Sequence, residues 1–336
     1  MLRVALLSKW HVHAVDYAAQ AQENPNIIIS SVWDEDPTRG KEWADELEVP
    51  FVQDLTTLLS DSSIDAVIIA SPTNQHKNLI LAAAKHGKHI FTEKVLAFTI
   101  ADCEQIFSAV DAAGVELMVS LPRLAEDYFI YAEQAVNQGL LGQLTMVRCR
   151  AAHNGAVPTE TSPTGWLPET FFNFTQCGGG AMIDLGAHPI YLANRLLGTP
   201  SAVTGRLQQL TERGVDDQSV AIVEYSNQAM AILETSFVSS KSPFQLELYG
   251  TEGTLMVENK EIRIKSTKLE TEEWTKPATA PDLPLPIHQW AAAIEENTTP
   301  SITRTDAWNL TLINQGAALS QKRNRRVDLQ ELNLSK

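Results

Sequence analysis

Short apolar runs recur through the first 120 residues at Arg3–Leu7, Ile27–Trp33, Ala66–Ala70, His89–Thr92 and Glu116–Val119. Each is of strand length. Between them, Val15–Gln22, Thr38–Glu46, Gln75–Lys85 and Ile100–Ala112 carry helical spacing. Near-continuously apolar strands alternating with helices predict a doubly wound parallel sheet, covered on both faces and joined by right-handed crossovers.

Past about residue 123 the period changes. A helix over Ala125–Gln138 precedes longer runs in which apolar and polar positions alternate, at Gln143–His153, Ala202–Gln209, Gln218–Tyr225, Ala229–Phe237, Gln245–Tyr249, Thr254–Glu258 and Glu261–Lys265. Turn segments such as Tyr225-Ser226-Asn227-Gln228 and Gly250-Thr251-Glu252-Gly253 join them as hairpins of a large, mainly antiparallel sheet. The pattern predicts two domains, an α/β domain over residues 1–122 and an α+β domain over 123–336. The proline-rich stretch Pro277–Pro286 reads as a surface linker into a last helix at Ile287–Glu296.

A formal net charge of −15 argues against a surface that tracks nucleic-acid phosphates or anionic lipid, and leaves small molecules as the expected partners. Cys103, Cys149 and Cys177 show no metal-ligand spacing and cannot all pair within one chain. The opening apolar run is too short for a signal peptide or membrane span. A cytoplasmic location is expected. An open sheet face in the second domain is a natural surface for self-association as a homodimer or homotetramer.

Doubly wound sheets bind ligands beyond the carboxyl ends of their strands, which directs attention to the loops there. Asp34 follows the second strand, where an acid can bond a ribose hydroxyl and repel a 2′-phosphate, favouring NAD over NADP. The loop after the first strand, Ser8-Lys9-Trp10-His11-Val12-His13, contains no glycine, and none occurs before Gly40. Ser8 and the following helix amides can still receive a phosphate, with attraction from Lys9 or a charged His11. In the second half, Gly178-Gly179-Gly180 precedes Asp184 and His188, which share a face if both lie on one helix and would form a proton-exchanging pair. The plainer alternative is a glycine turn before a helix with an early acidic residue and a core histidine. His11-Val12-His13 also suggests two metal ligands of a barrel hydrolase that would recruit Asp184 or His188, although strand-rich residues 123–336 do not continue eight βα units.

Three blocks, in this order and spacing, resemble the glucose-fructose oxidoreductase and inositol dehydrogenase family, Gfo/Idh/MocA. They are Val67 through His76, Gly87-Lys88-His89-Ile90-Phe91-Thr92-Glu93-Lys94, and Gly178 through His188. The resemblance implies an N-terminal Rossmann domain and hydride transfer between a nicotinamide, taken as NAD, and a hydroxyl-bearing carbon of a sugar or polyol. It places Lys94 on the family's Glu-Lys-Pro lysine, and Asp184 and His188 on its second-domain pair. In those roles Lys94 stabilises alkoxide charge, Asp184 orients or polarises, and His188 is the base. The expected cofactor contacts are Ser8, Lys9, Trp10, His11, His13, Asp34, Ser71, Pro72, Thr73, Asn74, His76, Glu93 and Lys94. Arg123 and Trp166 join Lys94, Asp184 and His188 as expected substrate contacts, with His153, Asn154 and Tyr191 as further polar groups. The chain departs from the family pattern in its missing glycine fingerprint and in Val95, which stands where the family has proline. The first departure also admits a non-catalytic ligand sensor on the same fold.

Overall fold

In the computed structural model, which describes residues 1–333, the five early apolar runs are the parallel strands β1 (Leu2–Leu7), β2 (Ile27–Trp33), β3 (Ala66–Ile69), β4 (His89–Thr92) and β5 (Leu117–Val119). Helices α1 (Ala14–Glu23), α2 (Pro37–Glu46), α3 (Leu55–Ser60), α4 (Thr73–Lys85) and α5 (Ile100–Ala113) connect them. All four residues of β3 are buried, as expected of a strand covered on both faces. Side chains start three of these helices: Asp36 caps α2, with Pro37 in its first turn, Asp54 caps α3 and Thr99 caps α5. Helix α3 adds to the expected elements, since six residues are too few for helical periodicity to register. The strand order is β2-β1-β3-β4-β5, which reverses direction between β1 and β3. That reversal is the switch point at which such sheets bind ligands.

The chain continues through α6 (Asp127–Asn137), β6 (Leu144–Ala152), α7 (Phe174–Cys177), α8 (Ala187–Leu197), β7 (Pro200–Gln208), β8 (Gln218–Tyr225), β9 (Met230–Ser236), β10 (Gln245–Gly250), β11 (Gly253–Glu258) and β12 (Glu261–Ser266). Then come α9 (Pro286–Glu296), α10 (Arg304–Arg323) and β13 (Val327–Asp328). Eight strands form one sheet in the order β12-β11-β10-β6-β9-β8-β7-β13, antiparallel except for the parallel pair β6 and β9. Helix α8 packs on β6 and β9, covering one face. The other face presents exposed Val220, Ile222 and Met230 beside an Arg148–Glu234 ion pair at 2.8 Å.

Two compact units result: residues 1–122 with 284–304, and residues 123–283 with those from Thr305 onward. The expected placement of α9 in the second domain is therefore corrected. Its Ile287, Trp290 and Ala291 enter the same buried cluster as Leu6, Ile68 and Phe91, and the Trp290 and Phe91 rings lie 5.7 Å apart. Helix α10, twenty residues long, was not expected either. It buries Asp306, Thr311, Asn314 and Ser320, which interrupt any apolar stripe. Arg195 pairs with Asp306, and Ser320 Oγ accepts from Gly205 N at 3.0 Å.

The glycine run is held from β8's entry turn. A Cβ on Gly180 would lie 1.9 Å from the carbonyl oxygen of Asp216, so only glycine fits. The buried Asp216 carboxylate accepts from the amides of Gly180 and Met182, both at 2.8 Å, and from Ser219 Oγ at 2.6 Å.

Trp290→Ala is expected to lower the unfolding free energy by about 3–5 kcal/mol, measured by urea titration, because the cavity opens in the first unit's main core. Asp216→Ala strands two buried amides and should cost about 2 kcal/mol or more. Amide exchange at Gly180 and Met182 should accelerate with it; unchanged protection there would show that the turn does not depend on the carboxylate.

Candidate active site

At the carboxyl edge of the parallel sheet, the turn after β1 forms without glycine. Ser8 takes φ 76°, the left-handed region that glycine usually fills at lower cost. It is fully buried, its amide donates to Trp33 O at 2.7 Å, and its Oγ accepts from Trp10 N at 3.1 Å. Asp34 secures the same turn. Its carboxylate is wholly buried and accepts from Lys9 N and Asp36 N, each at 2.8 Å, and from Arg39 Nε and Nη2 at 3.0 and 2.5 Å. The expected ribose acid is thus occupied by the loop and by Arg39, which also pairs with Glu35. Lys9 Nζ pairs with Glu46 on α2, so it does not stand as an open cation for phosphate.

Most amides of this loop are spent internally, including His11 N on Ala70 O and His13 N on His11 Nδ1. The helix ends differ. Helices α1 and α4 start at His13 and Pro72 with no side-chain cap, in contrast to α2, α3 and α5. They follow β1 and β3, the strands that flank the switch point, so their first amides suit the phosphates and ribose of a dinucleotide. Half-buried Trp10 and Thr73 and exposed Asn74 lie on these segments, beside buried Ser71 and Pro72.

His76 takes a different place from the expected cofactor contact. It is fully buried, with Nδ1 2.9 Å from Val95 O and Nε2 3.1 Å from Ser71 O, and it ties the loops after β3 and β4 together. Burial lowers its pKa, so the ring is neutral and one nitrogen donates at a time. His13 is exposed, its Nδ1 2.9 Å from Asp16. The peptide bond between Lys94 and Val95 is cis, with valine where the family has proline. Lys94 and Glu93 are both buried, with Nζ 3.8 Å from Glu93 Oε1.

In the second unit, Asp184 lies in the turn before α8 and His188 in its first turn, so the two do not share one helix as expected. Both are half-buried. His188 Nδ1 is 2.7 Å from the hydroxyl of buried Tyr191, which also accepts from Arg123 N at 3.3 Å. The Arg123 guanidinium is engaged by the Tyr128 hydroxyl and lies 4.4 Å from the centre of the Phe244 ring. Trp166 is 57% exposed and donates from Nε1 to Asn154 Oδ1 at 3.2 Å. Its ring is 4.7 Å from that of His153, which stacks on Phe237. Burial lowers the His153 pKa while the Asp184 charge works against that shift, which puts Asp184 in the same neighbourhood.

The barrel-hydrolase alternative is corrected by the fold, since two separate sheets replace the eightfold barrel it requires. Among the described residues no group of three or more His, Cys, Asp or Glu side chains is arranged to hold a metal ion. Three residues escaped the sequence reading: Arg39, Asp216 and Tyr17. Their local patterns are those of a surface cation, a turn acid and a core aromatic.

A family model described as an oxidoreductase family with an NAD-binding Rossmann fold matches residues 12–121, starting within the glycine-free turn, and one described as the GFO/IDH/MocA C-terminal domain matches residues 129–256. A scyllo-inositol 2-dehydrogenase (NAD(+)) of Bacillus subtilis (strain 168) is 27% identical over 290 residues, spanning 81% of this chain and 80% of that protein. The scyllo-inositol 2-dehydrogenase (NADP(+)) IolU of the same organism is 25% identical over 321 residues, 93% and 94% of the two chains. Levoglucosan dehydrogenase, solved with NADH and levoglucosan, shares the fold at a TM-score of 0.83 and 21% identity, covering 98% of this chain and 99% of that one. The chain belongs to the Gfo/Idh/MocA family of oxidoreductases and carries its NAD-binding Rossmann fold.

Proposed function

We propose that this protein is an NAD-preferring dehydrogenase of a sugar, polyol or related hydroxy compound, with the first unit holding the cofactor and the second recognising the substrate. The observation that carries the reading is His188 anchored through Nδ1 on the buried Tyr191 hydroxyl, in a chain whose first half is an NAD-binding Rossmann fold. The relatives named as inositol dehydrogenases support the substrate class. Bound nicotinamide supplies the hydride acceptor for oxidation. The Tyr191 hydroxyl can donate to Nδ1 or accept from it, so the ring keeps its orientation in either protonation state. Nε2 is then the nitrogen that exchanges a proton with the substrate hydroxyl. Lys94 stabilises the developing alkoxide charge, and Asp184 orients the reacting pair. The exposed Trp166 ring, with Asn154 and His153 beside it, suits stacking against a sugar face.

Ser8, Ser71, Pro72, Thr73, Asn74 and the amides opening α1 and α4 line the cofactor's expected path. Asp34 serves a ribose only by sharing its oxygens with Arg39 or releasing it. The open sheet face with Val220, Ile222 and Met230 supports a homodimer or homotetramer, and three free cysteines fit a reducing, cytoplasmic setting. No helix among the described residues is long and apolar enough to cross a membrane.

Fluorescence titration should show NADH binding roughly tenfold or more tighter than NADPH, the mark of an acid at the ribose site. In a screen of inositols and aldoses followed by nicotinamide absorbance, Lys94→Ala and His188→Ala should each lose roughly 100-fold or more in turnover. Full turnover in His188→Ala would overturn its role as base, and wild-type cellular function in a turnover-dead Lys94→Ala would favour a sensor. Ile222→Glu should shift the sedimenting species toward monomer; an unchanged mass would exclude that sheet face as the interface.

A further inference from the structure

Beneath the cofactor edge, the first unit buries a set of ionisable groups of which the proposed chemistry uses only Lys94. Glu93, 1% exposed, follows β4. Tyr17, on α1 and also buried, donates its hydroxyl hydrogen bond to Glu93 Oε2. The two carboxylate oxygens face different groups: Oε2 is 3.8 Å from His11 Nδ1, and Oε1 is 3.8 Å from Lys94 Nζ.

A buried carboxylate is costly unless charges and donors compensate it. Burial alone would raise the Glu93 pKa, but His11, Lys94, His13 and the Tyr17 hydrogen bond together hold it below the ordinary range. His76 on α4 also faces Glu93 electrostatically, and Asp16 faces Tyr17. Burial and the neighbouring Glu93 push the Tyr17 pKa far above its usual value, so its hydroxyl remains a donor at every working pH. The Tyr17 ring packs edge-on against Phe91 at 5.2 Å, a contact that phenylalanine would keep. Only the hydroxyl reaches Glu93.

We propose that Tyr17 is a positioning residue of the redox centre: its hydroxyl fixes one oxygen of Glu93 so that the other stays turned to Lys94, keeping that amine protonated and in place. The proposal rests on the reading that Lys94 stabilises alkoxide charge. A carboxylate beside an ammonium raises the lysine pKa. Removing the Tyr17 hydroxyl frees the Glu93 carboxylate to rotate, so that Oε1 is no longer held toward Lys94 and the ammonium form loses its facing charge.

The test is an NMR pH titration of protein isotope-labelled at lysine Cε, with the Lys94 signal assigned by its absence in Lys94→Arg. Tyr17→Phe is expected to lower the Lys94 midpoint by about one pH unit, a tenfold loss of proton affinity. Glu93→Gln should lower it further, and Tyr17→Phe should bind NADH within about threefold of wild type. An unmoved midpoint in Tyr17→Phe overturns the proposal whether or not Glu93→Gln moves it. Should Tyr17→Phe not fold, Tyr17→Met, which also lacks the hydroxyl, decides: a downward shift of the Lys94 midpoint supports the proposal and no shift overturns it. The functional reading fails separately, if Lys94→Ala oxidises the probes myo-inositol, D-xylose and levoglucosan with NAD as fast as wild type. The Lys94 titration shift would survive that result.

Discussion

Buried carboxylates that accept backbone amides hold the loops on which the functional edges depend. An acid removed from water must recover its hydration from hydrogen bonds and cations, and once it does so its partners are fixed as firmly as it is. Asp34 gathers Lys9 N, Asp36 N and the Arg39 guanidinium, and so sets the turn after β1. Asp216 gathers Gly180 N and Met182 N and so sets the approach to α8. Asp217, beside it, takes Leu210 N and Thr211 N. Each carboxylate is worth little as a net stabiliser but much as a constraint, because deleting it leaves buried donors with nothing in return.

The glycine-free turn becomes intelligible on these terms. The Gly-rich fingerprint solves two problems, a left-handed backbone and a close approach to pyrophosphate. Here Ser8 adopts the left-handed conformation itself, at φ 76°, and its hydroxyl becomes a local acceptor for Trp10 N. The Lys9 amide, which could otherwise serve a phosphate, is committed to Asp34. What is left for a dinucleotide is the uncapped ends of α1 and α4, and these come from strand order and helix register, independent of glycine.

How much of this was legible in the chain follows from the same physics. Strands β2 and β4 matched their expected limits because each apolar run stops at charged residues, Asp34 after β2 and Glu93 after β4, while β3 is buried along its whole length. Seven strands of the second sheet were legible through their period of two, whereas the two-residue β13 is too short to show one. Helix α10 was hidden because its core-facing side carries Asp306, Thr311, Asn314 and Ser320, polar residues that break the apolar stripe, and because Asp306 takes its partner Arg195 from far along the chain. The placement of α9 depended on tertiary contacts of Ile287, Trp290 and Ala291 with the first unit's core, which no spacing encodes. At the site, residue types were readable but tasks were not: His76 has the sequence setting of a cofactor contact and the burial of a strut.

Charge pairing sharpens the account of how an acidic chain can attract a nucleotide. With a net charge of −15, long-range attraction for phosphates is absent. The cations near the carboxyl edge do not supply it locally either, since Lys9 pairs with Glu46, Arg39 with Asp34 and Glu35, and Lys94 with Glu93. In the proposed reading attraction falls to oriented backbone amides at the starts of α1 and α4, whose field acts over about one helical turn and needs no net positive charge. The paired cations then act as fixed dipoles that set side-chain geometry. In the proposed chemistry Lys94 meets substrate charge with its compensating carboxylate already beside it, Glu93 Oε1 lying 3.8 Å from Nζ.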